Sequence, residues 1–171
     1  MITLSQRLKR KTQSDEATTS RVSIRDRLLV KEAQEMAQLL PACCSVHYAN
    51  ENDLSRFTLI VSPTEGYWEG GTFKFEINVT DEYNMVPPLV KCVTRLWHPN
   101  ITESGETTQC RWNGVVSIRR LNDVVWGLHA LFTDLLNFED PLNVEAADMY
   151  RHSKEEFKLK VMEYVANYAK E

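Results

Sequence analysis

The chain has 171 residues and a mass of 19.8 kDa, the length of one domain rather than two. Hydrophobic residues make up 43% and charged residues 26%, which excludes a disordered chain, a disulfide-stapled miniprotein and a collagen-like repeat. The formal net charge of -4 hides an asymmetry: residues 1–30 hold seven Lys/Arg against three Asp/Glu, so a basic front precedes an acidic body.

At the front, Ile2, Leu4 and Leu8 stand among Arg7, Lys9 and Arg10, a stretch able to form an amphipathic turn on a partner; read by composition alone it is a solvated tail. It has no aromatic residue to stack on bases and the acidic body repels phosphate, so a protein partner is expected and nucleic acid is not. Residues 11–20 are polar and Ser/Thr-rich, the pattern of a linker. The expected division is a flexible basic extension over 1–22 and a core domain over 23–171. No apolar run reaches the ~18 residues that cross a bilayer, and no apolar block of a signal peptide opens the chain. A soluble, intracellular protein without a membrane partner, its thiols reduced, is the expectation.

Ser23 is placed as an N-cap, with Ile24, Leu28, Leu29, Ala33, Met36 and Leu40 at helical spacing until Pro41. Strand-like segments follow at Val46 to Tyr48, Phe57 to Val61, Phe73 to Val79 with strict alternation, and Leu89 to Leu96. Between the second and third, Gly66, Gly70 and Gly71 are expected to take positive φ in a connecting turn. An antiparallel four-strand meander is the simplest assembly. Residues 100–119 lack a regular pattern; then Val124, Val125, Leu128, Leu131, Phe132 and Leu135 recur as in a buried helix, with Asn122 or Asp123 as its cap. Two more helices are expected near Val144 to Tyr150 and Ser153 to Tyr168. The order of elements is that of an α+β fold with one helix on the sheet.

The four cysteines, Cys43, Cys44, Cys92 and Cys110, have no C-x-x-C spacing, so no metal site is expected. Cys92 falls on a strand and reads as core. Trp126, Phe132 and Phe138 read as core or rim packing.

Four elements in order carry a resemblance: Tyr83-Asn84-Met85-Val86-Pro87-Pro88, the tripeptide His98-Pro99-Asn100, Gly105, and Asp140-Pro141-Leu142-Asn143. From about residue 23 onward the chain resembles the ubiquitin-conjugating enzymes. The segments MITLSQRLKR, EGYWEGGTFKFE, WHPNITESGE and DVVWGLHALFTDLLNFEDPLN resemble more closely those specific for the ubiquitin-like modifier Nedd-8, the F type in particular.

The resemblance implies that fold and a two-step reaction. A cysteine thiolate accepts the modifier's acyl group as a thioester, and a lysine amine then attacks it. It implies Asn100 as oxyanion donor, His98 as a structural residue of the same turn, and Tyr83, Pro87 and Pro88 as a bracing turn. Asp140 to Asn143 would lie beside the thiol, where a carboxylate can help the incoming lysine; a plain connecting turn is the alternative. Ile2, Leu4, Arg7, Leu8 and Lys9 are implied as the docking element for the neddylation activating enzyme. The further partners implied are Nedd-8, a RING-box ligase and a cullin, the fifth favoured. The chain is expected to act as a monomer in cytoplasm and nucleus. It would bind no cofactor, ATP being consumed upstream by the activating enzyme.

One segment departs from the pattern. The nucleophile belongs at position 108, inside Gly-x-Ile-Cys-Leu, but Thr108 stands there and Cys110 follows two positions late. The stretch from Gly105 to Leu121 is also about seven residues shorter than the F-type pattern and lacks its Trp-x-Pro landmark. An alkoxide is too hard to form for Thr108 to replace the thiol. Three readings stand: Cys110 is a displaced nucleophile with Arg111 favouring its thiolate, the protein is an inactive binding module, or the local sequence reflects a gene-model error.

Overall fold

The computed structural model describes residues 23–50, 52–83, 85–107, 120–133 and 136–170. The expectations placed on residues 1–22, on Asn84, on the segment 108–119 and on Leu135 lie outside them.

Helix α1 spans Ile24–Leu39. It begins where expected, because the Ser23 hydroxyl accepts from the Asp26 N–H at 3.0 Å, and it ends before Pro41, which cannot continue a helix. Strands β1 (Cys44–Tyr48), β2 (Arg56–Val61), β3 (Phe73–Asn78) and β4 (Leu89–Cys92) form one antiparallel meander in sequence order. Their alternation decides the register. Leu59 opposes Phe75 and Phe75 opposes Cys92 on the inner face, whereas Lys74 and Glu76 face outward.

β4 is shorter than its apolar run, which continues to Leu96. Val93 N–H still donates to Lys74 O at 2.8 Å, but the Lys74 N–H is taken by the Thr94 hydroxyl at 2.9 Å, so a side chain occupies the donor of the reciprocal ladder bond and pairing goes no further. Leu96 and Trp97 are buried beyond the strand instead. In the β2–β3 connection, Gly66 (φ 87°) and Gly70 (φ 74°) take the left-handed region. Gly71 does not; it is required for space, since a Cβ there would lie 2.7 Å from the Phe73 ring.

Helix α2 (Leu121–Ala130) shares one buried core with the sheet through Leu121, Val124, Val125 and Leu128. Phe132, just past its end, stacks on Phe73 with ring centroids 4.7 Å apart, and burying a ring of that size contributes roughly 2 kcal/mol. Neither Asn122 nor Asp123 caps this helix. Its first residue, Leu121, donates its N–H to the Glu32 carboxylate at 2.9 Å, and the same oxygen accepts from the Tyr83 hydroxyl. One α1 side chain thus satisfies an orphan helix donor and anchors the Tyr83–Pro88 turn. Helices α3 (Val144–His152) and α4 (Lys154–Tyr168) complete the fold. The chain end returns to the sheet, with Thr72 N–H donating to Ala169 O at 2.8 Å. Among the described residues no helix is long and apolar enough to cross a membrane.

Candidate active site

The turn His98-Pro99-Asn100 leaves the buried Leu96-Trp97 pair and sits under α2. His98 and Asn100 are fully buried. The imidazole lies on Trp68, centroids 4.5 Å apart, and the Trp68 indole donates to Trp97 O at 3.0 Å, fixing the approach of the chain. His98 Nε2 faces Leu131 O at 2.8 Å, and Nδ1 faces the Asn100 N–H at 2.9 Å. A carbonyl only accepts and an N–H only donates, so the ring is neutral with its proton on Nε2. Burial pushes its pKa down to about 4. Such a residue does not exchange protons near neutrality; it holds a turn.

That geometry gives stability a pH dependence. Unfolded histidine titrates near 6.5 while the folded group titrates near 4, so the unfolded chain binds more protons in that window. The stabilisation is complete above pH ~6.5 and is lost as pH falls to ~4, a difference of about 3 kcal/mol. Urea midpoints of the unaltered chain should fall over this interval, and the fall should flatten in His98→Gln, which cannot protonate.

Asn100 is the second half of the turn. Its Nδ2 donates to Asn137 O at 2.7 Å and its Oδ1 accepts from Asn137 N at 3.0 Å. A side-chain amide reading both groups of one distant residue uses one of its two Nδ2 hydrogens among the described residues. Pro99 O accepts from both Leu142 N and Asn143 N, each at 2.9 Å. The loop 137–143 is therefore hung on the turn at both ends, and Asp140 is brought to the same side of the molecule. Asn137 Oδ1 shapes the loop by accepting from Glu139 N and Asp140 N, while Asn143 Oδ1 caps α3 through Ala146 N.

After the turn, Ile101 pairs with Thr107 and Glu106 with Lys91. Gly105 (φ 88°) presses its backbone onto β4, accepting from Cys92 N at 2.8 Å. Thr107 is buried, and its hydroxyl has no partner among the described residues. The resemblance places the isoleucine of Gly-x-Ile-Cys-Leu at this position. An unpaired buried hydroxyl costs about 1–3 kcal/mol.

Cys110 lies outside the described residues, as do Ile2, Leu4, Arg7, Leu8 and Lys9. Of the remaining thiols, Cys92 is buried, and desolvation raises its pKa to about 12. Cys44 is raised to about 12 by burial and by Cys43 beside it. Both are therefore poor sources of thiolate. Trp126 is about half exposed, Phe132 is core, and Phe138 lies on the rim against Tyr150. Among the described residues no three His, Cys, Asp or Glu side chains converge as metal ligands. Glu32 and Asn137 are the positioning residues that the sequence pattern does not single out.

A meander backed by one buried helix, with a His-Pro-Asn turn carrying a loop on its amide, is the arrangement that the resemblance to ubiquitin-conjugating enzymes implies. The sequence matches the family model described as ubiquitin-conjugating enzyme over residues 28–165, and the chain belongs to that family. Within it, the chain is 51% identical over 187 residues to the NEDD8-conjugating enzyme UBE2F of Bos taurus, an alignment covering 99% of this chain and 100% of that protein. Identity to the NEDD8-conjugating enzyme UBE2F of Homo sapiens is 50% over 187 residues, with the same coverage. The NEDD8-conjugating enzyme ubc-12 of Caenorhabditis elegans is 37% identical over 179 residues, covering 98% of this chain and 99% of that one. The longer alignments exceed the 171 residues available here, so those relatives carry residues that this chain lacks.

Proposed function

We propose that this chain is a Nedd-8-conjugating enzyme. It accepts the modifier from its activating enzyme as a cysteine thioester and passes it to a lysine of a cullin with a RING-box ligase, the fifth cullin favoured. The observation that carries the reading is the likeness over almost the whole chain to proteins named NEDD8-conjugating enzyme, on a fold whose His98–Asn100 turn keeps its hydrogen bonds.

Cys110 is the nucleophile in this reading. Asn100 supplies an Nδ2 hydrogen to the oxyanion of each tetrahedral intermediate, and His98 holds Asn100 by accepting its backbone N–H. Residues 1–22 dock on the activating enzyme through Ile2, Leu4, Arg7, Leu8 and Lys9, and residues 23–171 form the conjugating core. No cofactor is bound by the chain, ATP is used by the activating enzyme, and the protein works as a monomer in cytoplasm and nucleus.

A charging assay tests this. Purified protein is incubated with the neddylation activating enzyme, Nedd-8 and ATP and resolved on a non-reducing gel beside Cys110→Ala. A reductant-sensitive adduct lost in the variant is the expected result, with the signal falling below detection. No adduct, with binding to the activating enzyme retained, would leave the chain a non-catalytic binding module.

A further inference from the structure

The loop Asn137–Asn143 has a second set of ties. Its ends belong to the His98–Asn100 turn, but its apex, where Glu139 and Asp140 are exposed, is met from the opposite side by the last turn of α3. Phe138 lies flat on Tyr150, centroids 4.2 Å apart and planes 11° apart. Arg151 donates from Nη2 to Phe138 O, and Asp148 holds its Nη1 at 3.2 Å. Tyr150 is braced edge-on by Tyr67 and Phe157, so the platform under Phe138 is part of the packed body. A loop fastened at both ends still lets its apex move; a ring stack and a charge-assisted hydrogen bond remove that freedom.

We propose that Tyr150 and Arg151 are positioning residues for the second half of the reaction, holding the Glu139–Asp140 apex where it meets the acceptor lysine; this rests on the conjugating-enzyme reading above. In that step the lysine ε-amine forms a C–N bond to the thioester carbonyl. The C–S bond breaks with its electron pair on sulfur, and the amine's surplus proton passes by way of an apex carboxylate to water, the thiolate recovering its own proton from solvent. The first half brings no amine to the site and does not need the apex. A displacement of ~1 Å at such a group costs up to ~100-fold in rate.

The experiment separates the halves. Charged protein is formed, the activating enzyme is quenched, and discharge to free L-lysine is followed at several lysine concentrations and from pH 7 to 9. Arg151→Ala and Phe138→Ala are expected to slow discharge about tenfold at saturating lysine, with the charging rate within about twofold and the pH profile moved to higher pH. Tyr150→Phe and Arg151→Lys, which keep the ring and a donor, should stay near the unaltered rate. Lys154→Ala, a cation 5.2 Å above the same Tyr150 ring with no tie to the loop in the hydrogen bonds described, should change neither half. Thermal melts establish that each variant is folded. Unchanged discharge, or charging slowed as much as discharge, overturns the proposal. If the unaltered chain takes no modifier, the conjugating-enzyme reading itself falls and takes this role with it.

Discussion

Replacing Gly105 by alanine should remove more than about 4 kcal/mol of stability, a loss reserved for backbone collisions and comparable severe lesions. A Cβ at this position would stand 2.0 Å from Cys92 O, and φ is 88°. Neither neighbour can give way: the oxygen belongs to β4, and the same two residues are joined by the Cys92 N–H to Gly105 O bond. Gly70 provides the comparison, since it has φ 74° with nothing within 4 Å of a built Cβ. There alanine should cost only the torsional penalty of about 1–2 kcal/mol. Urea denaturation of both variants reads the difference. At roughly 3 °C per kcal/mol for a domain of this size, Tm should fall by about 10 °C or more for Gly105→Ala and by about 5 °C for Gly70→Ala. Similar losses in the two would mean that the hairpin after the His98–Asn100 turn yields, and that the turn is not held by β4.

With Asn100 in the oxyanion role proposed above, Asn100→Ala should lower modifier transfer by about 100- to 1000-fold, the usual loss on removing such a donor, while leaving a folded protein. The separation follows from where its partners lie. Asn137 is exposed, so its N–H and C=O can turn to water when the amide is deleted, and the stability cost should stay near 1–2 kcal/mol. Transfer has no such substitute, because water is not fixed beside the acyl carbon. Asn100→Asp is the sharper variant: it keeps an acceptor for Asn137 N but sets a buried carboxylate against Asn137 O, and it should be both less stable and slow. Charging and discharge rates beside urea midpoints make the measurement. A transfer loss under tenfold with the full structural cost would reduce Asn100 to a loop clamp.

Local chemistry in the sequence was enough for much of the fold. Ser23 announces the start of α1 as an N-cap before an apolar periodic run, and Phe73, Phe75 and Ile77 alternate as a half-buried strand must. What local pattern misses is a partner far along the chain. The start of α2 depends on Glu32, 89 residues before Leu121, and no window around Asn122 contains it. β4 ends at Cys92 because of the Thr94 hydroxyl and Lys74, a contact decided by register. Gly71 sits among turn glycines and suggests a positive φ, whereas its reason is the Phe73 ring. At the site, the tripeptide marks His98 and Asn100, but the hydrogen bonds that make them useful reach Leu131 and Asn137, 33 and 37 residues on. Thr107 appears in sequence as an unremarkable polar residue; its burial without a partner among the described residues is visible only in three dimensions.

The two fastenings that flank the segment 108–119 bear on what a change within it can reach. Upstream, Glu106–Lys91 and Gly105–Cys92 secure the chain to β4; downstream, Glu32 secures Leu121. Each anchor is made by residues outside the segment, so none of these contacts is written in the sequence of 108–119 itself. The turn and the start of α2 are thus specified by the sheet and by α1, and a change of residue inside the segment leaves both sets of partners in place.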